Sequence, residues 1–156
     1  MKPFQERINE WMQSALELAQ KAASEDEVPV GALIVHQNQI IGRGYNRREQ
    51  SQDPLAHAEL LAIQEASKAL GSWRLVDCCL IITLEPCPMC LAAAQQSRIK
   101  EVIYGTSDPK GGALSLGYRL HEDRRTNHRF SATLIEVPKC SEILKEFFRL
   151  KRQSTT

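Results

Sequence analysis

Leu75-Val76-Asp77-Cys78-Cys79-Leu80-Ile81-Ile82-Thr83-Leu84-Glu85-Pro86-Cys87-Pro88-Met89-Cys90 runs from an apolar stretch into a pair of thiols punctuated by prolines. Leu75 to Leu84, rich in Val, Ile, Leu and Cys, predicts a strand buried on both faces, hence one at the centre of a sheet. Pro88 suits the first position of a helix, which is expected to run through Ala92-Ala93-Ala94 to about Ser97. Downstream, Glu101 to Gly105 reads as the next strand. Ser107 to Thr126, with Asp108-Pro109 and Gly111-Gly112, reads as irregular or only partly helical. A last strand from about Arg129 to Val137 precedes a helix from Ser141, with Ile143, Leu144, Phe147 and Leu150 expected to face inward. Upstream, Phe4, Ile8, Trp11, Ala15, Leu18 and Ala22 recur at helical spacing, so they form the core stripe of a first helix. Ser24-Glu25-Asp26-Glu27 interrupts it. Val30 to His36 and Ile40 to Tyr45 then predict a hairpin around Gln37-Asn38-Gln39. A second helix ends near Leu70, with Gly71 as its stop. This order predicts an α/β fold, a three-layer α/β/α sandwich on a central five-stranded mixed sheet.

The chain has 156 residues, the size of one domain, and shows no repeat, low-complexity run or long linker, so residues 1–156 are read as a single domain. Apolar residues at 42% and charged residues at 25% exclude disordered and collagen-like classes. No apolar run approaches the roughly 20 residues that span a bilayer, and the amino terminus lacks the apolar core of a secretion signal. No membrane association and a cytoplasmic location are expected. The five cysteines are an odd number, and two sit at metal-ligand spacing, which argues against a disulfide framework. The net charge of +1 hides a polarity. The first thirty residues set Lys2, Arg7 and Lys21 against Glu6, Glu10, Glu17, Glu25, Asp26 and Glu27. Positions 139–152 set Lys139, Lys145, Arg149, Lys151 and Arg152 against Glu142 and Glu146. One end of the molecule is thereby suited to a polyanion, although a solvated basic helix explains the charge alone equally well.

The chemistry lies in His57-Ala58-Glu59 and Pro86-Cys87-Pro88-Met89-Cys90. Two thiolates and an imidazole suit Zn²⁺, and three protein ligands leave the fourth tetrahedral position open, as in catalytic sites. One zinc per chain is expected, on His57, Cys87 and Cys90. The metal brings the pKa of a bound water from about 15.7 to about 7, making hydroxide available at neutral pH. Glu59 then takes the water proton and passes it to a leaving amine. Geometry constrains this reading, because residues two apart inside a helix point roughly 200° away from each other. His57 and Glu59 converge only if the helix begins near His57 and the metal lies in front of its first turn. Asp53-Pro54 is the more obvious start on capping rules and is taken instead as the preceding turn. Two helix amino termini would then face the metal and favour the thiolates. Alone, Cys-x-x-Cys fits a redox pair or structural zinc as well. The pairing with His-x-Glu is the signature of zinc-dependent nucleobase deaminases.

The sequence resembles the bacterial tRNA-specific adenosine deaminases of the cytidine deaminase-like superfamily over nearly its whole length. The resemblance is carried by Val28-Pro29-Val30-Gly31-Ala32, Gly44-Tyr45-Asn46, Asp53 to Glu59, Thr83 to Cys90, Ser97-Arg98-Ile99, Asp108-Pro109-Lys110-Gly111-Gly112, Asn127-His128-Arg129 and Phe147-Phe148-Arg149. It implies conversion of adenosine to inosine at the wobble position of a tRNA anticodon, by a homodimer. It further implies that Asn46 and Ala58 meet the target base, that Asp108 and Lys110 contact the anticodon loop, and that Phe148, Arg149, Lys151 and Arg152 meet flanking nucleotides. Such side chains suit RNA, since amides read base edges, aromatic faces stack and cations bind phosphate. The family usually continues after Gly111-Gly112-Ala113 with a Gly-Ser pair, whereas Leu114-Ser115-Leu116-Gly117-Tyr118 stands here.

Two other functions use the same residues. A deaminase of a free base or nucleotide, of guanine or cytosine type, would keep the metal and Glu59 and close a small pocket with the carboxy terminus. A non-catalytic zinc-containing RNA-binding domain would keep the metal but has no use for Glu59. Cys78, Cys79 and Cys140 are read as packing residues, His36 and His121 have no partner spacing, and His128 could stabilise a turn as readily as touch RNA.

Overall fold

The structure, a computed structural model, describes residues 2–154. Its elements in chain order are α1 (Phe4–Ser24), β1 (Gly31–His36), β2 (Gln39–Tyr45), α2 (Arg48–Ser51), α3 (Ala58–Leu70), β3 (Cys78–Ile82), α4 (Pro88–Gln96), β4 (Glu101–Tyr104), a 3₁₀ turn (Leu120–Glu122), β5 (Ser131–Leu134) and α5 (Pro138–Ser154). The five strands form one mixed sheet in the order β2-β1-β3-β4-β5. β1 runs antiparallel to both β2 and β3, whereas β4 runs parallel to both β3 and β5. The apolar run therefore does become the central strand, and all five of its residues are buried.

Alternation along the strands divides the core into two layers, because successive side chains leave opposite faces of a pleated sheet. Ala32, Ile34, Leu80, Ile82, Val102 and Tyr104 pack on one face with Ala58, Ala62 and Ala66 of α3 and Leu91 and Ala94 of α4. Leu33, Val35, Cys79, Ile81 and Ile103 pack on the other with Ile8, Trp11, Met12, Ala15 and Leu16 of α1 and Cys140 of α5. This is the three-layer α/β/α arrangement.

The face carrying α3 is unusually close. A Cβ on Gly44 would lie 2.2 Å from the carbonyl oxygen of Ala58, and one on Gly42 2.3 Å from that of Ala62. Two glycines of β2 against an alanine stripe of α3 let backbone rest on backbone, which fixes where the first turn of α3 begins. At its other end, Gly71 adopts the left-handed conformation (φ 63°) expected of a helix stop.

Several boundaries differ from the sequence reading. β3 starts at Cys78 because Asp77 takes a positive φ of 61°. α5 starts at Pro138, three residues before Ser141, which places Cys140 in its first turn. Phe4 is 40% exposed and leans edge-on against Trp11, and Leu150 is 50% exposed. Leu150 was expected to face inward. Only Cys140 of α5 is fully buried, with Ile143, Leu144 and Phe147 half-buried, so the helix lies shallowly on the sheet. α2 is a further element that the hydrophobic pattern does not signal.

Candidate metal centre and adjoining cavity

His57 is the N-cap residue of α3, in an extended conformation (φ −79°, ψ 149°), and Cys87 is the N-cap residue of α4 (φ −71°, ψ 171°). The helix does begin at His57 and not at Asp53-Pro54, whose segment forms a turn held by the bond from Leu55 N–H to Asp53 Oδ1. Cys90 sits one turn inside α4 and is fully buried. His57 Nδ1 lies 3.4 Å from Cys90 Sγ and 3.7 Å from Cys87 Sγ. All three donor atoms fall within 4.8 Å of one another. Zinc–sulfur and zinc–nitrogen bonds of about 2.3 and 2.0 Å at a tetrahedral angle separate their donors by about 3.6 Å, so this donor set fits zinc. Among the described residues no fourth His, Cys, Asp or Glu joins the group.

The electrostatics favour a thiolate at this corner. The hydrogen bond with Cys90, then that with His57, draws the Cys87 thiol down to about 4 against the opposing effect of burial. Its counterpart Cys90 moves up, through the same bond and through burial. Hydrogen bonding to Cys87 raises the His57 imidazole above its ordinary value. Glu59, 4% exposed in the first turn of α3, is also raised, because burial penalises its charged form more than its hydrogen bonds favour it. A carboxyl that holds its proton readily therefore stands beside the ligand cluster.

His57, Ala58, Glu59 and Cys87 line a cavity of about 190 Å³ together with Asn46, Arg48, Glu85 and Asp108. Asn46 is 8% exposed, and its Nδ2 donates to the Val28 carbonyl at 3.3 Å. Its Oδ1 is buried with no partner among the described residues. Through Val28, Leu84 and Asp108 the cavity continues into a groove of about 830 Å³, walled by Lys110 on one side and by Phe148, Lys151 and Arg152 of α5 on the other.

The chain matches the MafB19-like deaminase family over residues 6–152. The tRNA-specific adenosine deaminase of Bacillus subtilis (strain 168) is 44% identical over 146 residues, covering 92% of this chain and 89% of its own. That of Haemophilus influenzae (strain ATCC 51907 / DSM 11121 / KW20 / Rd) is 40% identical over 144 residues, covering 91% of this chain and 83% of its own. The chain belongs to the tRNA-specific adenosine deaminase family. A structure from a study of A-to-I editing by tRNA:A34 deaminases at the wobble position superposes with a TM-score of 0.82 at 39% identity, over 87% of this chain and 99% of that one. The guanine deaminase of Bacillus subtilis shares the fold more distantly, with a TM-score of 0.62 at 30% identity over 92% of this chain and 93% of that one.

Within this deaminase-family fold, the residues singled out in the sequence separate into three groups. Asn46, His57, Ala58, Glu59, Cys87 and Asp108 meet in the inner cavity, with Cys90 behind it. Lys110, Phe148, Lys151 and Arg152 line the outer groove. Arg149 lines neither, and its guanidinium is bound to Glu146 at 2.6 and 3.0 Å. Lys151 is paired with Asp26 at 2.6 Å. His128 bonds the Ile99 carbonyl at 2.6 Å, a turn-stabilising contact.

Three residues that matter here escaped the sequence reading. Glu85, 3% exposed, accepts hydrogen bonds from Asp108 N–H (3.1 Å), Ser115 N–H (2.8 Å) and the Ser115 hydroxyl (2.6 Å). A Cβ at Gly112 would lie 2.0 Å from its Oε2, so this loop closes on Glu85 only with glycine there. Glu27, 1% exposed, accepts from Glu49 and Gln50 N–H at 3.1 and 2.8 Å and fixes α2. Arg48, the first residue of α2, lines the inner cavity. Its place two residues after Asn46 was the one available signal.

Proposed function

We propose that this protein hydrolytically deaminates adenosine to inosine at the wobble position of a tRNA anticodon, as one domain holding one zinc ion on His57, Cys87 and Cys90. The observation that carries the chemistry is the three-donor cluster at two helix amino termini with the buried Glu59 carboxyl beside it. Zinc held there would supply a nucleophile at neutral pH by acidifying water. Glu59, whose proton affinity is raised by burial, would take up a proton at its carboxyl and deliver it to the departing amine. Asn46 offers its unpartnered Oδ1 to a donor on the base edge, which a buried acceptor gains most from binding. Ala58 lines the same wall without bulk.

The two volumes support a polymeric substrate. The inner cavity falls below the about 300 Å³ at which ligand pockets begin to enclose a drug-sized molecule, so it suits one ring system. The remainder would lie in the groove where Lys110, Phe148 and Arg152 offer charge and an aromatic face. α5 borders that open groove and does not seal the cavity, which disfavours the free-base reading. A structural zinc domain is disfavoured by the missing fourth ligand among the described residues and by Glu59.

The same reading includes a homodimer and a cytoplasmic location. Met89, Ala92 and Ala93 form a half-exposed face of α4, whose small side chains permit close helix packing. Among the described residues no helix is long and apolar enough to cross a membrane. The test is to incubate purified protein with an anticodon stem-loop carrying a wobble adenosine, and with free guanine, cytosine and adenosine, scoring inosine and ammonia. Deamination of the stem-loop is expected; turnover confined to free bases would overturn the tRNA assignment and leave the zinc chemistry in place.

A further inference from the structure

The inner cavity is rich in groups that repel an anion. The carboxyl groups of Glu85 and Asp108 line it, beside Glu59 and Cys87. A polynucleotide that inserts a base there brings its own phosphates up to these groups, at a cost unless a cation faces them. Among the described lining residues Arg48 is the single lysine or arginine. It engages none of the ion pairs found among the described residues, unlike Lys151 of the outer groove. Its side chain lines the same wall as His57, Ala58 and Glu59.

Arg48 is also held in place. One loop fastens both it and Asn46: the buried Glu27 carboxylate takes the N–H groups of Glu49 and Gln50, while the carbonyls of Val28 and Val30 take Nδ2 and N–H of Asn46. Arg47 N–H, between them, is bound to the Ala56 carbonyl beside the metal ligand His57. An amide for the base and a guanidinium thus stand two residues apart on a hydrogen-bonded segment, and guanidinium matches phosphate geometry with parallel donors.

We propose that Arg48 is a specificity-determining residue that binds the phosphate joining the cavity-bound nucleotide to its neighbour, so that a base within a chain is selected over a free base. This rests on the RNA reading above.

The test uses zinc-loaded protein and two stem-loop RNAs identical except that, in the second, the phosphates flanking the target adenosine are neutral methylphosphonates. Arg48→Ala is expected to raise KM on the natural RNA by about tenfold with kcat nearly unchanged, the size of a lost hydrogen bond to a charged group. Arg48→Lys should recover part of it. On the methylphosphonate RNA, wild type should fall to the level of Arg48→Ala, and the variant should lose nothing further. Equal losses on both RNAs, a fall in kcat without a rise in KM, or no effect would each overturn the assignment of Arg48. Zinc content and thermal unfolding of the variant separate these outcomes from misfolding. A wild-type enzyme that ignores the natural stem-loop would instead overturn the RNA reading itself, and the role of Arg48 with it.

Discussion

Ser115 donates both its hydroxyl and its backbone N–H to the buried carboxylate of Glu85, at 2.6 and 2.8 Å. Ser115 lies in the Leu114 to Tyr118 segment, and Glu85 immediately precedes the thiol motif. The bond from Asp108 N–H to the same carboxylate makes Glu85 the pin between the metal loop and the 108–115 turn. Ser115→Ala removes one charge-assisted bond and is expected to cost about 1–2 kcal/mol in unfolding free energy. Zinc content should stay constant while KM for the stem-loop rises, because the Glu85 carboxylate that holds Asp108 N–H at the cavity mouth loses one of its two bonds from Ser115. Urea titration and steady-state kinetics on one preparation check both.

Gly44 offers a sharper test of how α3 is placed. With only 2.2 Å between its missing Cβ and the Ala58 carbonyl oxygen, Gly44→Ala must push β2 and α3 apart. Overpacking of this kind costs about 1–3 kcal/mol, and here it also displaces His57 and Glu59. Both Tm and zinc affinity are expected to fall. An unchanged zinc affinity would mean that the first turn of α3 is positioned by something other than this contact.

Glu59→Ala separates metal binding from proton transfer. The variant should keep one zinc per chain and a native unfolding transition, with turnover reduced about 10²- to 10⁴-fold. Chelation of the wild type should abolish turnover and zinc should restore it. A Glu59→Ala enzyme with full turnover would assign the proton work elsewhere.

His121 gives a pH dependence whose sign can be worked out. It is 3% exposed, its Nδ1 is buried without a partner among the described residues, and burial lowers its pKa against a weaker pull from Glu122, with Arg119 adding to the lowering. The folded pKa lies below the unfolded one of about 6.5, so the unfolded chain binds the proton more readily. Its contribution to stability is complete above about 6.5 and declines as pH falls through that value toward the folded pKa. His121→Gln should therefore narrow the difference in Tm between about pH 7.5 and about pH 5.5. The same difference in both proteins would show that His121 does not titrate in that window.

How much of this was legible follows from what each feature depends on. The layers were readable because strand alternation and the α1 stripe are local patterns, and His57 as a helix start was readable because two residues two apart had to meet one metal. α2 was not, since four residues carry no periodicity and its amide groups are held by Glu27 from a distant loop. Glu85 reads as an ordinary acidic residue until the turn at 108–115 folds onto it. The basic carboxy-terminal helix looked uniformly available for RNA, yet charge counting cannot reveal that Arg149 is held by Glu146 or that Lys151 is held by a residue of the acidic loop after α1.

That last pairing gives a prediction that charge counting alone would not make. Lys151 lines the outer groove but bonds Asp26 at 2.6 Å, so a phosphate in the groove must compete with a carboxylate for it. Both partners are substantially exposed, at 42% and 76% of their side chains, and such pairs are worth roughly 0.2–1 kcal/mol. Asp26→Asn should free Lys151 and tighten stem-loop binding by up to about fivefold at low salt, an effect that fades as salt screens the pair. Lys151→Ala should weaken binding and reduce the slope of log affinity against log salt by about 0.7, the value of one single-strand phosphate contact. In the double variant the benefit of Asp26→Asn should vanish, because its only route is through Lys151. Fluorescence anisotropy of a labelled stem-loop across a salt series reads all four proteins. If Asp26→Asn tightens binding equally with and without Lys151, the acidic loop repels RNA as a whole and the specific pairing carries no weight.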